Sequence, residues 1–568
     1  IVNSDWSSDV CSSDLENVIR FKNSGITKMN QKKYTKALED FNSAIAKFPS
    51  KLTEEDLILK MNILLDRANC QTQLQKYPES LADIAEVGKI YSELRPEDKQ
   101  KAKTHQQIMK DPLTGILAMS YIREGECYEM QLDYLEAFYQ YRKAYELIQN
   151  NETQKAVQGL LKKINIPIID KNEKDLALFN EIINQFINIE KLEATLDDVN
   201  KFLEGEINEN IVKKINQADV SNILYGIIQI YHENKELTNK ALVGLRLMAE
   251  KGIASVWNGY MVIRNVMARW KNDACILGNA IKFLRLSPYD MYKLYAKEDF
   301  IPEICDALQN KISEDEVEGA FFILFQTASS PSLIVELLDL NIINLIVEKK
   351  TKGALLLLSK LSIVPESLKF AEENGALEWI MKVLANEKVS QEEIIASSMI
   401  SSRILLRKVT KEEIPEHTQK ASKIIDAFAP IVTKYSKEEE IIGHIFATFS
   451  IAVDYVPEKA KEHNLISLGA ELLASHLKFE KIAQNIVAFL YEAADSGLVD
   501  EVKEAVPVIM KALIQHTNNK SIVERAVAVA YLTDQKNKYA LLRSAVTKYN
   551  ESDFLKIFIA KNGILLKQ

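Results

Sequence analysis

The histidines, cysteines and tryptophans of this chain are the side chains best suited to metal binding, nucleophilic attack or cofactor stacking. Seven histidines (His105, His232, His417, His444, His463, His476 and His516) stand apart from one another in sequence. His463 and His476 are 13 residues apart within a helical pattern, which does not bring two imidazoles onto one ion. Five cysteines (Cys11, Cys70, Cys127, Cys275 and Cys305) include no C-x-x-C pair, so zinc and dithiol chemistry have no support. The odd count and wide spacing fit reduced, buried thiols. Trp257, Trp270 and Trp379 fall in apolar helical stretches and read as core. No phosphate-binding glycine loop, nucleophile elbow or H-E-x-x-H pair is present. The expectation is a protein that is not an enzyme and holds no cofactor and no metal.

The elements that carry these residues are helices. Glycine (18) and proline (13) are scarce in 568 residues, which leaves few turn formers for a many-stranded fold. Apolar residues make up 47% and charged residues 27%, a balance that folds and stays in water. The net charge of −9 comes without a Lys/Arg-dense block, so no nucleic-acid partner is expected. No apolar run reaches the roughly 18–20 residues that cross a bilayer, so no membrane partner is expected either. Residues 1–15, IVNSDWSSDVCSSDL, are Ser/Asp-rich and foreign to the rest. They read as non-native sequence similar to a translated sequencing adapter, not as a signal peptide.

One register recurs in the first 150 residues. From Gly25, Tyr34 lies at +9, Ala37 at +12, Phe41 at +16 and Ala44 at +19, with Pro49 at +24. From Ala68 the same offsets give Tyr77, Ser80, Ile84 and Val87. From Gly125 they give Tyr134, Ala137, Tyr141 and Ala144. A small first residue lets a second helix approach. Small residues seven apart line one face of that helix, and the large residue at +16 fills the space between. Pro49 ends the first unit's second helix. No such pair buries its face alone, so the units must stack.

At these residues the chain resembles the tetratricopeptide (TPR) family, over about residues 16–150. The starts are 43 and 57 residues apart against the family's 34, so Glu86–Lys110 should lengthen helices between the second and third units. The resemblance implies a peptide-binding groove formed by the first helix of each pair. In one TPR subgroup that groove is a carboxylate clamp for the acidic tails of Hsp90 and Hsp70 chaperones. By position, Lys22 and Arg123 match the two ends of the clamp. Ile26 and Asp66 stand where it has Asn, and Met119 where it has Lys. Two of five positions match, and Asp66 would repel a carboxylate ligand. Residues 16–150 hold 20 Lys+Arg and 20 Asp+Glu, so this module is neutral.

After a transition at 151–175, residues 176–568 read as helices with apolar positions at i, i+3, i+4 and i+7. Phe179, Ile182, Ile183 and Phe186 form one face; Ile424, Ile425, Phe428 and Ile431 form another. Aligning Ile301, Ile343, Leu377 and Ile466 gives spacings of 42, 34 and 89, with room for a further unit near Ala421–Ile431. The segment ENGALEWIMKVL resembles an armadillo turn and helix, with Gly375 at the turn. The predicted fold is an all-α α-solenoid, a TPR module followed by armadillo/HEAT-like repeats. That order resembles the UCS family of myosin chaperones and TPR–armadillo proteins of axonemal dynein assembly. The resemblance implies a cytoplasmic adaptor or co-chaperone whose groove takes a peptide or chaperone tail and whose solenoid holds a client such as a myosin. The alternative is a non-chaperone scaffold of a cytoskeletal, trafficking or degradation complex.

Overall fold

The computed structural model describes residues 6–95, 112–164, 166–167, 169, 173–186, 188–253, 259–297 and 300–564. His105, Trp257 and most of the Glu86–Lys110 extension beyond Leu94 fall outside them, as does the side chain of Cys11. No strand occurs among the described residues, and the chain is an all-α solenoid that divides into two compact units, Ile1–Val266 and Met267–Gln568.

The first unit opens with three antiparallel helix pairs: α1 (Trp6–Asn30) with α2 (Tyr34–Ala46), α3 (Glu54–Gln73) with α4 (Tyr77–Leu94), and α5 (Pro112–Met130) with α6 (Tyr134–Leu147). Each second helix starts at the tyrosine of the repeat register. The reason for the small first residue is visible in the packing. A Cβ on Gly25 would lie 2.6 Å from Phe41 Cε1, and one on Gly125 would lie 2.6 Å from Tyr141 Cδ1. In the middle pair the partner is the slimmer Ile84, and there the chain affords Ala68; all of these residues are buried. Each such large side chain taken from water is worth roughly 1.5–3 kcal/mol.

The three turns are also alike in a way that composition conceals. Lys32 (φ 57°), Gln75 (φ 60°) and Leu132 (φ 64°) occupy the left-handed region at the same register position. None is Gly or Asn, the residues that tolerate it best. α3 begins at a capping box in which Thr53 and Asp56 satisfy each other's backbone N–H groups.

Residues 151–175 carry a further helix, α7 (Asn151–Lys163), packed on α5 and α6 and capped by the Asn150 side chain. α8 (Ala177–Gln185), α9 (Ile189–Glu204), α10 (Glu209–Gln217), α11 (Ser221–Ile230) and α12 (Lys235–Glu250) follow. The third helix pair is joined to them by aromatic rings. Phe138 of α6 meets Phe186 edge-on at 5.9 Å and Tyr231 edge-on at 5.8 Å. The Tyr231 hydroxyl donates to the Phe186 carbonyl, and all three rings are buried.

The second unit is built on a row of long helices, each packed on the next: Ala274–Arg285, Glu314–Thr327, Lys352–Leu361, Gln391–Leu406, Glu439–Ala452, Glu480–Asp495 and Lys520–Leu532. Other helices lie between them in sequence. Ile301, Ile343, Leu377 and Ile466 are buried on four of these, Ile301–Gln309, Ile342–Lys349, Ala376–Leu384 and Leu465–Ser475. The unit expected near Ala421–Ile431 is the helix Ile414–Lys434, which buries Ile424, Ile425 and Phe428. Gly375 does sit at a sharp turn (φ 83°), and Asn341 (φ 56°) and Asn464 (φ 51°) make the same turn. Polar links tie the row. Lys282 bonds Glu316 at 2.9 Å, the Ser398 and Thr448 hydroxyls are hydrogen-bonded at 2.7 Å, and Asn485 Nδ2 donates to the Gly443 carbonyl at 2.8 Å. Arg403 donates to Ser359 O.

Candidate peptide-binding cleft

Two long helices and one turn of the first unit enclose a cleft of about 320 Å³. α3 contributes Asn62, Leu65 and Asp66, one helical turn apart. α5 contributes Ile116, Met119 and Arg123, at i, i+3 and i+7. The turn between α6 and α7 and the start of α7 close one side with Ile148, Asn150 and Glu152. Three of the residues predicted from sequence, Asp66, Met119 and Arg123, therefore meet in one place.

The other two are placed differently. Ile26 is half-buried and packs on the first pair's core of Val18, Ala37 and Phe41. An apolar residue one turn from Lys22 is drawn into that core instead of lining the cleft. Lys22 stays on the α1 surface, and its charge acts on Asp66 through space. Asn62, Asn150 and Glu152 join the site without having been expected there. Asn62 was visible as the i−4 neighbour of Asp66. The other two depend on α7, which the repeat register does not reach.

The cleft has a definite charge arrangement. Burial pushes the Asp66 carboxyl above the usual range, and Lys22 and Arg123 pull it partly back. Among the described residues no donor hydrogen-bonds to this carboxylate. Arg123 is already engaged, its Nη1 2.6 Å from Glu126 Oε2. Next along α3, Arg67 grips Asp83 through Nε (2.7 Å) and Nη2 (2.6 Å) and reaches Asn42 Oδ1 at 2.9 Å, so it serves packing between pairs. The amide of Asn62 donates 2.9 Å to the Ile58 carbonyl, and Asn150 accepts from the Glu152 and Thr153 N–H groups.

Several groups with reactive chemistry are engaged by their surroundings. Burial pushes the Cys70 and Cys305 thiols up to about 12, away from the reactive thiolate. The buried His417 meets the Leu405 carbonyl at 3.1 Å, His476 the Ser436 carbonyl at 3.0 Å and His516 the Leu477 carbonyl at 2.7 Å. Asp426, Glu462 and His463 bring one ligand atom each within 4.8 Å of one another. Lys459 already binds Asp426 Oδ1 at 3.1 Å and Glu462 Oε2 at 2.9 Å there, and His463 Nε2 meets Asp426 at 2.7 Å. Trp379 is buried and Trp270 half-buried. Among the described residues no helix is long and apolar enough to cross a membrane.

No protein-family model matches the chain, and no curated protein matches it. Solved structures do. One described as "A conserved phosphorylation switch controls the interaction between cadherin and beta-catenin in vitro and in vivo" has a TM-score of 0.51 at 12% identity, over 85% of this chain and 99% of that one. An engineered protein has a TM-score of 0.48 at 14% identity, over 67% of this chain and 96% of that one. A designed armadillo repeat protein in complex with peptide (KR)4 has a TM-score of 0.33 at 18% identity, over 41% of this chain and 99% of that one. At 12% identity the first of these likenesses is one of fold alone.

Proposed function

We propose that this protein is a protein-binding adaptor, not an enzyme, and that the cleft between α3 and α5 receives a peptide segment of its partner. The observation that carries the reading is the convergence of Leu65, Ile116 and Met119 with Asp66 and Arg123 around one cleft on rigid helices. Apolar walls give a bound segment area to bury, and a few placed charges give it orientation. The second unit, a long row of tied helices, supplies a further surface for a client in this reading. Its armadillo-like fold supports a scaffold of this kind.

Selection of displayed peptides on the full chain tests it. Enriched peptides should lose binding when Met119→Trp fills the cleft. Failure to enrich any peptide, or equal binding by the Met119→Trp chain, would refute the proposal.

One observation favours a co-chaperone version, with an Hsp90 or Hsp70 tail in the cleft and a client such as a myosin elsewhere. Lys22 and Arg123, from α1 and α5, act together on a single carboxylate, that of Asp66. Two cations matching the clamp ends thus share one acidic focus. The version requires heat on titrating an acidic peptide with a free C-terminus, reduced by Lys22→Ala and by salt. Absence of heat sinks it. Asp66 supplies in the chain itself the charge that such a tail would bring, which leaves the non-chaperone scaffold as the better supported form.

A further inference from the structure

The cleft contains a carboxylate with unfilled hydrogen-bonding capacity. An ionised Asp offers about four acceptor positions. Asp66 is half-buried, lines the cleft, and receives no hydrogen bond from any described residue. A ligand that brings N–H donors into the cleft can fill those positions. The neighbours of Asp66 do not: Arg123 is turned to Glu126, and Lys22 acts only through space. Asn62 spends an N–H on its own helix. Among the described lining residues the charged groups are Arg123 against Asp66 and Glu152, and Arg123 is already paired with Glu126, so their balance favours a positive ligand. Beside Asp66 the walls are Leu65, Ile116 and Met119, which suit an aliphatic stem or an adjacent apolar residue.

We propose that Asp66 is the specificity residue of this cleft and that the ligand is an internal peptide segment presenting a Lys or Arg side chain to it, next to an apolar residue. The inference rests on the peptide-cleft reading above and adds the class of ligand. The cation and its N–H donors fill the acceptors of Asp66. A segment ending in a free carboxylate places like charge against it and is rejected.

The test uses the full chain and two fluorescent 12-residue probes at near-physiological salt. One alternates Leu and Lys and is blocked at both ends. The other alternates Leu and Glu and keeps its terminal carboxylate. Anisotropy should show the Lys probe binding at least about 10-fold tighter, which corresponds to about 1.4 kcal/mol. Asp66→Asn, close in shape, should weaken the Lys probe about 10-fold and strengthen the Glu probe. Asp66→Glu should keep the preference, and thermal melts should show both variants folded. Met119→Trp should block both probes. If Met119→Trp blocks binding but Asp66→Asn leaves the preference unchanged, the role given to Asp66 is overturned while the peptide cleft stands. If neither probe binds, or Met119→Trp has no effect, the inference and the peptide-cleft reading fall together.

Discussion

Adding a single methyl group at Gly125 tests the packing rule on which the first unit is built. A Cβ there would lie 2.6 Å from Tyr141 Cδ1, closer still to Cε1, and 3.1 Å from the Ala137 carbonyl. The Tyr141 ring is 2% exposed, and its hydroxyl donates 2.7 Å to Glu129 Oε2. The ring must move by about 1 Å to restore ordinary contact, which spoils the bond to Glu129. Overpacking of this kind costs about 1–3 kcal/mol. A lost hydrogen bond to a charged group adds about 1.5–3 kcal/mol. Alanine's better helix propensity returns about 1 kcal/mol. Gly125→Ala should therefore destabilise α5 and α6 by about 1.5–5 kcal/mol, a roughly 10- to 5000-fold loss of local amide protection. In a Tyr141→Ile background the site copies the Ala68–Ile84 pair of the middle unit, and the same substitution should be nearly neutral. Hydrogen exchange read by mass spectrometry on α5 and α6 peptides of the full chain gives the cycle without assuming two-state unfolding of the whole molecule. Gly115, on the same helix, has nothing within 4 Å of its would-be Cβ, so Gly115→Ala should stabilise by about 0.5–1 kcal/mol. An equal penalty for Gly125→Ala in both backgrounds would refute the reasoning.

Leu132 is 72% exposed and holds φ at 64°, so Leu132→Gly should stabilise the α5–α6 turn by about 0.5–1 kcal/mol, measured as slower exchange there, although glycine also loosens the unfolded chain. Burial, with Asp454 beside it, pushes the Glu492 carboxyl up from 4.5 to about 7. The folded chain then holds a proton that the unfolded chain releases, so stability should fall as pH rises from about 4.5 to about 7 and level off above. Glu492→Gln should remove that slope and add about 1–2 kcal/mol at pH 8, after allowance for solvent screening, with little effect at pH 4; urea midpoints at the two pH values decide. Iodoacetamide should alkylate the exposed Cys275 well before the buried Cys70, Cys127 and Cys305, and peptide mapping that finds Cys305 first would contradict the burial described.

Much of the fold can be read from residue type because it depends on size. Gly25 with Phe41, Ala68 with Ile84 and Gly125 with Tyr141 are complementary volumes, and volume is written in the sequence. Gly375, Asn341 and Asn464 announce their turns because they tolerate positive φ. The turns at Lys32, Gln75 and Leu132 do not, since the surrounding helices impose a conformation those residues do not favour. At the cleft, the opposing charge of Asp66 was legible, and so were the positions of Met119 and Arg123. The inward packing of Ile26 and the wall made by Asn150 and Glu152 depend on contacts between distant segments, which one register cannot supply.

The ring cluster of Phe138, Phe186 and Tyr231 governs how the molecule can be taken apart. A fragment stopped at Asn150 keeps every residue of the repeat register yet leaves Phe138 facing solvent, at a cost of about 1.5–3 kcal/mol for that ring alone. Such a fragment is adhesive for reasons unrelated to its partners, and what it captures would report the wound rather than the cleft. A fragment carried past Tyr231 keeps the cluster closed. The unit that evolution repeats is the helix pair, whereas the unit that can be handled in isolation is larger, and its limit is drawn by three aromatic rings.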